Sequence, residues 1–336
     1  MNQNRVLTQT LKPTGCTCHP SLHLNQANLL ILAQPHHPFA REFRIELHST
    51  DIRREDKYAM PEFNLESYLE HSKKVDASDM DFSQAPRYPL SEEEIRCLTY
   101  MMDIETHTIV YLKGILSTCA IRDPRTRSFL SCWAYEEFFH GHTLRRFLEA
   151  AGISFSPTRM AEVQKEASWR DWIESVGSSL ICQISRHFHA VYLTWGAISE
   201  LTTLEGYGIL AARSRHPMLA ELLRRLAKDE RRHFSFYYNM AREHLVPRAA
   251  QRLTTGVIRY FWMPVGGGVK PDSEVDWMNR FILGDSRGSE VAARIDATIG
   301  KLPGLAWFDR LTRSREESLA RLGRIEPALS AMTAAD

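Results

Sequence analysis

The chain has 336 residues, enough for one large domain or two small ones. It is 43% apolar and 25% charged with a formal net charge of +1, which excludes the broad basic face of a general nucleic-acid binder and leaves an ordinary globular composition. No apolar run nears the ~20 residues that a membrane span needs, and the opening MNQNRVLTQT lacks the charged start and apolar core of a secretory signal, so a cytoplasmic protein without a membrane span is expected.

Residues 1–55 are rich in Asn, Gln, His, Pro and Thr without a sustained period, and are expected to form a poorly ordered tail. Within it, Cys16-Thr17-Cys18-His19 is an isolated CxCH, a weak signal for metal. The six cysteines form no CxxC pair, and Cys132 and Cys182 read as core thiols. Residues 56–250 are expected to form a helical bundle, 251–325 a helical appendix packed on it, and 326–336 a tail. A short helix is expected over 64–71. At Ser91 the pattern turns helical: a capping Ser followed by three acids suits the positive end of a helix that runs to about 117. Asp123-Pro124 then supplies a cap and a first-turn proline for a helix stopping near Gly152. A short helix over 169–180 precedes a long apolar one, from about 183 to 213. His216-Pro217 breaks it, and the next long helix ends before Pro247. Beyond Gly266-Gly267-Gly268 a smaller helical region covers 273–322. No strand alternation is present, so the expected fold is all-α, built around four long helices.

Two histidines carry a Glu three residues upstream: Glu137/His140 and Glu230/His233. Glu137 lies 13 residues after Pro124, and Glu230 lies 13 after Pro217; Glu105 precedes Glu137 by 32 residues, and Glu200 precedes Glu230 by 30. Thirteen helical residues rise about 20 Å, so each antiparallel hairpin returns to the height of its isolated Glu. Residues three apart share a helix face, so Glu137 and His140 reach one point, as do Glu230 and His233. Two such hairpins facing each other gather four carboxylates and two imidazoles. Buried together, these must take up protons or be neutralised by cations. Four carboxylates balance two divalent ions, and one Glu from each of two helices plus ExxH from the other two is the di-iron or di-manganese pattern of helix bundles. Mixed oxygen and nitrogen donors suit iron or manganese better than zinc. Asp103 and Asp229 are candidates to orient the imidazoles from outside. Glu136, about 100° round the helix from Glu137, is set aside, and His107, His142, His187 and His189 lack a matching partner.

The residues around these positions resemble a known family. Glu136–Gly141, EEFFHG, resembles the EENRHG of soluble plant-type acyl-carrier-protein desaturases. DERRH (Asp229–His233) resembles their DEKRH, and SELTT (Ser199–Thr203) their QERAT; Trp133, four before Glu137, also matches. The likeness covers about 91–246. It implies a ferritin-like fold with additional C-terminal helices, two iron ions (manganese being possible), Glu105 and Glu200 as terminal ligands, Glu137 and Glu230 as bridges, and His140 and His233 capping one ion each. Thr203 would stand beside the oxygen-binding face and Asp229 behind a ligand. The implied activity is O2-dependent removal of hydrogen from an unactivated C–H of an acyl or other apolar substrate. Acyl carrier protein or another carrier, a ferredoxin-type electron donor and a homodimer are implied with it. Phe138 and Phe139 replace the family's Asn-Arg, Phe234 replaces a Glu, and no Trp precedes Trp133. N-oxygenation or hydroxylation in secondary metabolism is an alternative on the same metal core, and iron storage without an organic substrate is another. Phe138, Phe139, Leu193, Trp195 and Leu204 fit an apolar channel or a packed core. Arg224, Arg225, Lys228, Arg231 and Arg232 fit an acidic carrier or a solvated face.

Overall fold

The computed structural model describes residues 62–116, 119–166 and 187–333. The expected tail at 1–55, CxCH, Cys182 and the short helix at 169–180 lie outside the described residues. The fold is all-α: 76% helix, with no strand among the described residues. In chain order the helices are α1 (Leu65–His71), α2 (Glu92–Leu116), α3 (Pro124–Ala150), α4 (Arg159–Glu166), α5 (Phe188–Arg213), α6 (Pro217–His244), α7 (Arg248–Phe261), α8 (Asp272–Leu283), α9 (Ser286–Ile299) and α10 (Arg310–Thr333). No helix is long and apolar enough to cross a membrane among the described residues.

Local chemistry sets the boundaries. Ser91 Oγ accepts from the Glu94 amide at 3.1 Å while Glu94 Oε2 accepts from the Ser91 amide at 3.0 Å, a reciprocal capping box that starts α2. Asp123 accepts from the Arg125 amide and starts α3, with Pro124 where a missing N–H costs nothing. At α6 the capping acceptor is the His216 ring: Nδ1 accepts from the Leu219 amide at 3.2 Å, which leaves Nε2–H to donate to the Ala85 carbonyl at 3.1 Å. Asn64 caps α1 by accepting from the Ser67 amide. Gly266 turns the chain at φ +86, and a Cβ there would collide with the Tyr100 hydroxyl, which donates to the Val265 carbonyl.

Two hairpins, α2/α3 and α5/α6, make the main helix–helix contacts, and α3 also meets α6. Their shared core includes Phe129, Leu144, Phe147, Leu193, Ile198, Leu222, Leu223 and Leu226, each 0% exposed. Each such side chain contributes roughly 1.5–3 kcal/mol of burial free energy. The same cluster continues into Ile282, Val291, Ile295 and Phe308, so α8 and α9 pack on α5, and α10 packs on α8 and α9, without a separate core. Arg213 fastens that joint, donating to the Phe281 and Ile282 carbonyls and to Asp285. Helix α7 falls mostly within the helical appendix expected over 251–325, at a stretch where no individual helix is expected. Its apolar residues Ala250, Leu253, Val257 and Ile258 form one stripe against α5, and Pro247 marks only its start. Helix α10 continues to Thr333, past the expected tail boundary at 326.

Candidate metal centre

The four helices of the two hairpins each deliver acids to one interior point. Glu105 comes from α2, Glu137 and His140 from α3, Glu200 from α5, and Glu230 and His233 from α6. All six are buried, none more than 6% exposed. Glu105, Glu137, His140 and Glu230 offer ligand atoms that all lie within 4.8 Å of one another; Glu137, Glu200, Glu230 and His233 form a second such group. Glu137 and Glu230 belong to both. Each group could hold a metal ion, with these two carboxylates between the positions.

Close approach here depends on Gly141. A Cβ at that position would lie 2.6 Å from Thr106 Oγ1 and 3.2 Å from the Glu105 Cβ, so a side chain would push α2 from α3 at the height of the site.

At the centre three buried atoms have no hydrogen-bond partner: Glu137 Oε1, His140 Nδ1 and Glu230 Oε1. Yet His140 Nδ1 lies 3.0 Å from Glu230 Oε1, and His233 Nδ1 lies 2.9 Å from Glu137 Oε1. The atoms are close but not aligned for a hydrogen bond, as expected of ligand atoms aimed at a common third point. Orphaned buried polar atoms are expensive, so this donor set fits cations.

Each imidazole turns Nδ1 inward and is held by its other nitrogen. His140 Nε2 lies 3.3 Å from Asp229 Oδ2 on α6, and His233 Nε2 lies 2.8 Å from Glu136 Oε2 on α3. The acid immediately before each ExxH therefore reaches across to the opposite histidine, an orientation device typical of metal-binding imidazoles. Arg232 joins the two acids, donating to Asp229 at 2.7 Å and Glu136 at 3.0 Å. Glu136 also accepts from Tyr68 at 2.8 Å, Ser72 at 3.0 Å and the Lys73 amide at 3.2 Å. Glu136 stands outside both donor groups, as its angle implies, but it has a use that the sequence reading did not give it: it holds the outer nitrogen of His233. The available signal was an acid directly preceding both ExxH pairs. Tyr207, fully buried, donates to Glu105 Oε1, and Trp133 Nε1 donates to Glu200 Oε1 at 3.0 Å. Tyr207 lies seven residues, two turns, beyond Glu200 and so shares its face.

The electrostatics follow from crowding. Burial and the Glu137 charge hold Glu105 well above the usual carboxylate range. Burial and Glu230 raise Glu137, and burial pushes Glu200 up to about 8 despite His233. Burial would raise Glu230 too, but His140 and His233 outweigh it and hold it below its ordinary value. Burial likewise opposes ionisation of Glu136, yet His233 and Arg232 bring it down to about 2. Both imidazoles are raised well above their usual range, because flanking carboxylates overcome burial.

Other expected positions divide. Asp229 stands behind His140, but Asp103 does not serve the centre. It accepts from Arg159 at 2.7 Å through both oxygens and from Lys270 at 2.6 Å. Thr203 lies three residues past Glu200 and is half-buried. Leu193 and Leu204 are buried in the core, whereas Phe138 is 42% exposed and stacks with His142 on the outer side of α3, which corrects its place in an apolar channel. Phe234 is buried against Tyr238. Of the basic residues on α6, Arg225 is bound to Asp79 and Glu221 and Arg232 is consumed at the centre, while Arg224, Lys228 and Arg231 are exposed. Cys97 is buried and Cys132 half-buried. No family model, curated protein or solved structure matches the chain.

Proposed function

We propose that the chain is a ferritin-like di-iron oxidoreductase of the acyl-carrier-protein desaturase type, acting with O2 on an unactivated C–H of an acyl or other apolar chain. The observation that carries this reading is the sharing of Glu137 and Glu230 between two four-residue donor groups. Two redox-active ions held this way supply the oxidising power toward O2 and C–H bonds that amino-acid side chains lack. Desaturation balances as one R–CH2–CH2–R′ plus O2, two electrons and two protons giving R–CH=CH–R′ and two waters. The electrons require an external donor of the ferredoxin type.

The chain's own groups have separable tasks in this reading. Glu105 and Glu200 each complete one donor group, and Tyr207 and Trp133 hold them in place by donating to one oxygen apiece. Asp229 and Glu136 fix the ring orientation of His140 and His233. Asp229 and Arg232, with side chains 13% and 28% exposed, connect the interior to solvent and are the polar route for protons. Thr203, one turn beyond Glu200, is assigned the hydroxyl on the oxygen-facing side. The exposed Arg224, Lys228 and Arg231 are the assigned docking charges for an acidic carrier.

Anaerobic iron loading, exposure to O2 and an optical spectrum, followed by mass spectrometry of acyl-carrier-protein substrates, test the proposal. A product two hydrogens lighter is expected. A product heavier by one oxygen would move the assignment to hydroxylation or N-oxygenation. O2 consumption with two irons bound and no organic product from any acyl substrate would overturn it in favour of iron storage.

A further inference from the structure

A second cluster of donor groups lies away from the centre. Asp123, His189 and His244 each offer one ligand atom, and the three atoms lie within 4.8 Å of one another. They come from three helix ends: Asp123 from the cap of α3, His189 from the first turn of α5, and His244 from the last residue of α6. His189 precedes Glu200 by 11 residues, and His244 follows His233 by 11. Both intervals correspond to about 16 Å of helix, so the two antiparallel helices place the cluster at one level, well removed from the six buried ligands.

We propose that Asp123, His189 and His244 form a separate site for a single divalent ion of the zinc class. Ligand distances near 2.1 Å put neighbouring donors of a tetrahedral ion roughly 3.4 Å apart. His244 Nε2 lies 3.5 Å from Asp123 Oδ2, and the His189 and His244 rings stand 4.2 Å apart between centroids. One donor pair is thus already at the spacing of a coordination sphere, and the His189 donor lies within 4.8 Å of both. Two imidazoles and one carboxylate are a donor set for zinc or another late divalent transition ion, with the remaining position left to solvent.

The surroundings divide the labour of each residue. Asp123 Oδ1 accepts from the Arg125 amide at 2.8 Å and caps α3, leaving Oδ2 facing His244. Thr126 Oγ1, fully buried, stands 3.0 Å from His189 Nε2 and steadies the ring. Two other charges face the cluster. Arg125 lies 3.7 Å from Asp123 Oδ2 but is closer, at 2.9 Å, to Glu243, which offsets its charge. His244 also sits at the C-terminal end of α6, where exposed carbonyls favour a cation. An ion here would clasp the start of α3, the start of α5 and the end of α6, joining the two hairpins at the end remote from the oxidising centre.

The test uses the full chain with Zn2+ alone. In a Glu230→Ala background, which weakens the mid-bundle site, one Zn2+ per chain should remain by elemental analysis. That equivalent should vanish on adding His189→Ala and His244→Gln, together with the rise in melting temperature that saturating Zn2+ gives the parent. Asp123→Asn keeps the capping acceptor and removes the negative donor, so it should fold, by circular dichroism, and still lose the ion. Undiminished Zn2+ in Asp123→Asn and in the double-histidine variant would overturn the assignment, leaving an Asp–His ion pair that merely caps a helix. So would a Glu230→Ala chain that binds no Zn2+ at all.

Discussion

Asp103 and Glu105 stand two residues apart on α2, almost equally buried at 4% and 5% exposure. Asp103 is surrounded by the chain's own cations, Arg159 and Lys270, at 2.6–2.7 Å. Glu105 has one neutral donor, Tyr207, and otherwise faces carboxylates and His140. Burial alone therefore does not mark a functional acid. The discriminating feature is what neutralises it: an acid balanced from within holds the fold together, and one crowded by other acids requires something from outside.

The largest effect should come from Glu230→Ala. Because Glu230 belongs to both donor groups, both ions should be lost, with iron per chain falling from two toward zero and the optical signature of an oxygen-exposed di-iron pair disappearing. Retention of two irons would remove the ligand assignment. Next, Asp103→Asn should remove the carboxylate charge that Lys270 and Arg159 share and cost about 3 kcal/mol in urea unfolding, while iron stoichiometry stays the same. Iron loss in that variant without loss of stability would reverse the contrast between the two acids.

Helix starts at Ser91, Asp123 and Pro217 and the register of the six ligands were legible because capping and the 13-residue rise are local properties. Partnerships were not. Asp103 is expected from sequence to orient an imidazole, but Arg159 and Lys270, 56 and 167 residues away, claim it. The angle of Glu136 rules it out as a ligand, but its partners Tyr68, Ser72, Lys73 and His233 lie 63 to 97 residues away and leave no mark in the local pattern. Helix α7 escaped notice because its start after Pro247 resembles an end as much as a beginning.

A smaller effect isolates that missed residue. Glu136→Gln should weaken metal binding roughly 10–100-fold, as loss of a partner behind a ligand histidine does, measured by competition with a chelator. Asp229→Asn should behave alike on the other ion, and an unchanged affinity in both would make the outer acids structural only.

The smallest expected effect is on the metal-free chain and pH. Glu105, Glu137, Glu200, His140 and His233 all bind protons more tightly folded than unfolded. The folded chain thus holds protons that the unfolded chain releases, and stability is lost as pH rises above the ordinary carboxylate range toward and through about 8. Glu136 and Glu230 shift the other way, but their contribution changes only below that range, while burial holds His189 down to about 4 and lowers His107, which offsets part of the loss up to the ordinary histidine range. Melting of the metal-free chain should fall by on the order of a few degrees between pH 5 and pH 8. Iron loading should reverse the slope, because the ligands must shed protons to bind it. A flat metal-free profile would show that the acids are not crowded as described.

Glu136 takes Tyr68, Ser72 and the Lys73 amide on one side and the His233 ring on the other. The strand of chain leading into the helices is thereby tied, through a single carboxylate, to the back of a ligand. Whatever tugs on residues 68–73, whether a docking protein, a protease cut or a neighbouring segment, would pull on His233, so this stretch would act as a tuning screw for any ion held at the candidate centre.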